Sequence, residues 1–154
     1  MNSVQAHLIL LLHELAHGPE VGAGYGQFSE PGAGLLPVLA NLSAREASVP
    51  VAAGRPPVAA FVAHLTQLLT FAAGEADGNV TFPDLSAPWA VTGVTDAQWR
   101  AEREALAAAF AQARAVLTRR ELDADGVNGA LSALVHAATH AGALRFHAAN
   151  VGAR

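Results

Sequence analysis

Residues 131–150, LSALVHAATHAGALRFHAAN, contain no proline and are mostly alanine and leucine. A run of that composition favours one long α-helix, and such a helix must lay one face on a core. On it His136 and His140 stand one turn apart on the same face, and His147, eleven residues past His136, falls on that face too. Leu131, Leu134, Val135 and Leu144 spread round the adjoining sides, so the histidine stripe lies beside or within the apolar face. An imidazole set against a core needs a partner. Two histidines at i,i+4 can share a metal ion. The same spacing also arises by chance in alanine-rich helices, as two hydrogen-bonded or surface histidines.

Proline and glycine divide the remaining sequence into three further helical runs. Ser3 can cap a helix that reaches about His17, where Gly18 and Pro19 stop it. Residues 18–34 are a glycine- and proline-rich loop of a length that is usually functional or mobile. Residues 35–42 read as a short apolar helix with Pro37 in its first turn. Ser43 and Glu46 have capping-box spacing, and a proline-rich connection over residues 51–57 follows. Pro57 opens the second long helix, which Gly74 ends; Phe61, His64, Leu65, Leu68 and Leu69 form its apolar stripe. Residues 75–94 are irregular and hold Pro83, Pro88 and Trp89. Thr95 and Gln98 form a second capping box, opening a third long helix that ends near Arg119. Residues 123–128 turn the chain into the last helix, closed by Gly152. No strand alternation is present. Four long helices with unequal connections predict an all-α fold, a four-helix bundle with crossover-type connections, in a single domain of residues 1–154.

Composition narrows the chemistry. There is no cysteine, so a metal must be held by His, Asp or Glu. The nine basic residues are all arginine and scattered, and the net charge is −4, which argues against nucleic-acid binding. No run of eighteen apolar residues occurs, so no membrane-spanning helix is expected. The apolar N-terminal stretch has no basic residue before it and no small-x-small cleavage site after it, which reads as a core helix of a cytoplasmic protein. A low charged fraction, 14%, with many alanines predicts a homodimer packed helix against helix.

Two histidine sets compete for a metal. His13-Glu14-Leu15-Ala16-His17 matches HExxH, the zinc-protease helix motif. Its extended form fails, because GPEVGAGYG follows His17 and ends the helix where a ligand would have to be held. The alternative for this pair is one exposed and one packed histidine near a helix C-terminus.

The second set is His64 with His136 and His140. PVAAFVAHLTQLL, with its single central histidine, precedes VHAATHAGALR by about seventy residues. Together they resemble the DinB-like (YfiT-like) superfamily of four-helix proteins, as do ANLSAREASVPVAAGRPPVAAFVAHL and WAVTGVTDAQW. The likeness runs from about Leu35 onward. Thr139 stands where the family more often has tyrosine, and Phe146 where it often has glutamine. The resemblance implies a metal site at His64, His136 and His140. Three neutral imidazoles suit Zn or Ni and leave a coordination position open. His147, about 10 Å along the axis from His140, is too far to join them and is a pocket or core histidine.

The resemblance further implies a metal-dependent S-transferase or isomerase acting on a low-molecular-weight thiol and an electrophilic substrate. Two other readings stand beside it. One is a metal-dependent hydrolase, for which Glu14 is the candidate general base if the first helix packs beside the site. The other is a non-catalytic stress-response or binding protein of the same fold.

Overall fold

The computed structural model describes residues 3–20, 26–78 and 81–151, and all of their regular structure is helical. Six α-helices occur in order: α1 (Ser3–His17), α2 (Leu35–Ala40), α3 (Ala44–Ala47), α4 (Val58–Ala76), α5 (Asp96–Arg119) and α6 (Ala124–Val151). A 3-10 turn, Ala87–Ala90, lies between α4 and α5. The one β-type pairing among the described residues is an isolated bridge between Pro50 and Pro57. The all-α expectation therefore holds.

Several boundaries follow from local chemistry. Ser43 accepts the Glu46 N–H and the Glu46 carboxylate accepts the Ser43 N–H, and Thr95 and Gln98 repeat the arrangement at the start of α5. Gly18 takes a positive φ of 91° just past α1, a C-terminal stop that glycine adopts without steric cost. Two boundaries differ from the sequence reading. α4 continues past Gly74 to Ala76, because one glycine near a helix end costs only about 1 kcal/mol. α6 begins at Ala124, so the segment taken as a turn is its first helical turn, with Asp123 Oδ1 accepting the Gly126 N–H at 2.8 Å. Gly152 and residues 21–25 of the glycine-rich loop lie outside the described residues.

α1 and α4 each pack against both α5 and α6. The fully buried side chains come from all four: Leu15 from α1, Val58, Val62 and Leu65 from α4, Leu106 from α5 and Leu144 from α6. Each such aliphatic side chain contributes about 1.5–3 kcal/mol on burial. Asp77, at the end of α4, pairs with Arg119 at the end of α5, so these two helices run the same way. The chain between them must return along the length of α4, and the 3-10 turn packs on that helix as it does so. This segment is the long connection between α4 and α5.

α4 is also long and apolar enough to cross a bilayer by length and composition. A count of consecutive apolar residues misses this, because His64, Thr66, Gln67 and Thr70 interrupt the run. Val58, Ala59, Val62, Leu65 and Leu69 are buried inside the helical core, as they are in the core helix of any globular protein.

A buried polar side chain and a close backbone approach mark the two ends of α1. Gln5 is 1% exposed, donates to the carbonyls of Leu117 and Arg120, and accepts the Leu122 N–H, so it stitches α1 to the α5–α6 connection. At the other end Gly34, which precedes α2, lies against the end of α1. A Cβ there would stand 2.1 Å from the His17 carbonyl carbon and 2.2 Å from the Gly18 nitrogen. Backbone cannot yield as a flexible side chain would. Gly34→Ala is expected to cost about 1–3 kcal/mol, seen as a lower melting temperature with unchanged far-UV helicity at 20–25 °C, about room temperature.

Candidate metal centre

His64 sits in the middle of α4 and His136 and His140 in the middle of α6, and the packing of these two helices brings the three rings together. His64 Nε2 is 3.3 Å from His136 Nε2, and His136 Nε2 is 2.9 Å from His140 Nε2. One ligand nitrogen from each ring lies within 4.8 Å of the others. Two imidazoles on one ion at the usual Zn–N length stand about 3.3 Å apart at a tetrahedral angle and about 2.9 Å apart at a right angle. Both observed separations match. Hydrogen bonding accounts for them less well. A neutral imidazole Nε2 carries either one proton or one lone pair, and His136 Nε2 faces two partners at once. His64, His136 and His140 therefore form a group that could hold a metal ion.

Electrostatics favours the ligating form. Burial lowers the pKa of His64, with the neighbouring His136 adding to the effect. Burial also lowers that of His140, helped by His136 and then His64. Both rings are thus held neutral at pH 7, with a lone pair to give. His136 is exposed, which leaves the cluster open on one side.

Aromatic rings line the cluster. Trp89, carried by the 3-10 turn, stacks on His64 with centroids 4.6 Å apart at 34°. Phe61, one turn before His64, meets Trp89 edge-on at 5.3 Å and His140 at 5.5 Å. His64 Nδ1 is buried and has no hydrogen-bond partner among the described residues. A ligating histidine is usually oriented by such a partner. Here the Trp89 ring lies against the His64 ring instead. The sequence reading missed this residue; a tryptophan inside a proline-rich crossover was the available signal. Trp89→Ala should weaken metal binding roughly 10–100-fold, the usual cost of losing an outer support, with little change in melting temperature. Competition against a chromophoric chelator measures it, and unchanged affinity would mean that the ring only covers His64.

The HExxH residues do something else. The Glu14 carboxylate is 8% exposed and accepts three backbone N–H groups, from Gln27 at 2.9 Å, Phe28 at 2.5 Å and Ser29 at 3.0 Å. From the opposite side the Arg145 guanidinium donates to the carbonyls of Phe28 at 3.1 Å and Ala33 at 3.2 Å. Glu14 and Arg145 therefore clamp the loop between α1 and α6. Glu14 is occupied as a loop anchor, which removes the one general base named for a hydrolase. His13 and His17 stack at 4.8 Å, and no third His, Asp or Glu joins them among the described residues. His147 is buried at 4% exposure and lies outside the cluster.

The two remaining stretches of the family resemblance also meet. Trp99 Nε1 donates to the Leu42 carbonyl at 2.7 Å, and Ser48 Oγ accepts the Val94 N–H at 2.9 Å. These contacts fix the end of the crossover that bears Trp89. No family model, curated protein or solved structure matches this chain.

Proposed function

We propose that this chain is a DinB-like four-helix-bundle metalloprotein that holds zinc or nickel on His64, His136 and His140 and acts as a low-molecular-weight-thiol-dependent S-transferase or isomerase. The observation that carries the reading is the spacing of the three Nε2 atoms, two of whose separations match ligands on one ion. A divalent ion held there supplies positive charge that favours the anionic form of a thiol at neutral pH.

The protein's own part is orientation and shielding. His64 and His140 stay neutral, so the full charge of the ion is kept. Trp89 and Phe61 form an apolar wall on one side, suited to the carbon skeleton of an electrophile. The exposed side at His136 leaves an approach for the thiol. Among the described residues no carboxylate belongs to the cluster, and Glu14 is engaged with the loop, so activation of a thiol is favoured over activation of water. A homodimer would cover the exposed apolar residues of α6, Leu131, Val135 and Phe146, which are 45%, 57% and 75% exposed.

The test is turnover. Zinc- or nickel-loaded, untagged protein is incubated with a panel of small thiols and a chromogenic electrophile. The reading expects thiol consumption above the uncatalysed rate that disappears in His136→Ala. Metal bound at the three histidines with no turnover for any thiol would favour the non-catalytic binding protein.

A further inference from the structure

Away from the three histidines, α1, α4, α5 and α6 leave a cavity of about 300 Å³ between them. Leu8, Leu12, Leu69 and Leu134 form part of its wall. The α6 side is lined by Gly126, Gly129, Ala130 and Ala133, and their small size is what leaves the space. A Cβ added at Gly129 would meet nothing within 4 Å. An apolar void of about 150 Å³ in a helical protein admits benzene, so this one has room for roughly twice that bulk. An apolar space of this size left unfilled costs stability in proportion to its volume. It also lies in the size range of small-molecule pockets.

The charged side chains in its lining are two carboxylates, Glu75 at the end of α4 and Asp125 at the start of α6. Both residues are exposed and mark the mouth. Arg119 is paired with Asp77, while Arg120, which donates to the Ala76 carbonyl beside Glu75, still leaves the two carboxylates in excess by one charge. The chain has no lysine. Such a pocket has an apolar interior and an anionic entrance.

We infer that this cavity is a second ligand site, separate from the histidine cluster, that takes an aliphatic ammonium: an alkyl chain in the cavity and its charged end between Glu75 and Asp125. Neutral and anionic amphiphiles of the same length lack the pairing at the mouth, and anionic ones are repelled. The inference does not depend on the metal or on the thiol reading.

The experiment titrates the full chain with butyl-, hexyl- and octylammonium, and with octanol and octanoate as charge controls, by calorimetry and by thermal unfolding. Affinity is expected to rise about fourfold per methylene until the cavity is full. Octanoate should not bind. Glu75→Gln and Asp125→Asn should each weaken octylammonium about threefold and leave octanol unchanged. Ala133→Leu fills the space, so it should abolish binding while raising the melting temperature of the free protein by about 2–6 °C. Ala130→Leu repeats this test from a second position, should the first replacement overpack. His136→Ala should bind octylammonium as the parent does. Binding of octanoate as tight as octylammonium, no chain-length dependence, or octylammonium binding that survives both filling replacements would overturn the inference.

Discussion

His64→Ala, His136→Ala and His140→Ala should each release the metal while the far-UV spectrum stays helical. With one of three ligands gone, the remaining two hold the ion in a site already open at His136. The loss should exceed the roughly 10–100-fold that follows removal of an outer support, so metal copurifying with the parent should be absent from all three variants. The fold should survive, because the core rests on Leu15, Leu65, Leu106, Leu144 and their neighbours rather than on the cluster. Losing the His64 ring from Trp89, or the His140 ring from Phe61, costs little by comparison. Elemental analysis of untagged protein beside circular dichroism reads both outcomes. His13→Ala and His17→Ala serve as the contrast and should keep the metal. Loss of metal from those two, with retention in His136→Ala and His140→Ala, would move the site to the HExxH helix.

Glu14→Ala should behave in the opposite way: metal kept, stability lost. Its carboxylate satisfies three consecutive backbone N–H groups, and Arg145 holds the same loop from α6. Hydrogen bonds to a charged acceptor contribute about 1.5–3 kcal/mol each, but a loop freed at the surface regains water. A net cost of about 3 kcal/mol is expected, lowering the melting temperature by roughly 10 °C. Glu14→Gln should lie between, since the amide nitrogen would face an N–H where an oxygen is needed. Thermal unfolding measures the loss, and a metal titration at 20–25 °C, about room temperature, shows whether the cluster is intact. A variant that keeps its stability and loses its metal would return Glu14 to the site.

The helices were legible because their signals are local. Both capping boxes, the proline before α4 and the glycine after α1 act within one turn, and the structure has each in place. The stripe containing Phe61, His64 and Leu65 put His64 on the inward side of α4 for the same reason: periodicity reports which face is inward. What periodicity does not report is which distant segment arrives at that face. Trp89 reaches His64 only because the crossover runs back along α4, a consequence of topology. Arg145 finds its partners across more than a hundred residues and Glu14 across 13 to 15, on one loop whose conformation no local rule dictates. Gln5 was readable and was passed over. It falls on the buried stripe with Leu8, Leu12 and Leu15, where a polar side chain needs partners, and it has them in Leu117, Arg120 and Leu122.

X-ray absorption on zinc-loaded, untagged protein tests the central claim most directly, because it counts the nitrogens around the ion. The account predicts one zinc per chain with three imidazole ligands at about 2.0–2.1 Å. An ion surrounded mainly by oxygen, or a protein that takes up no zinc or nickel, would contradict it.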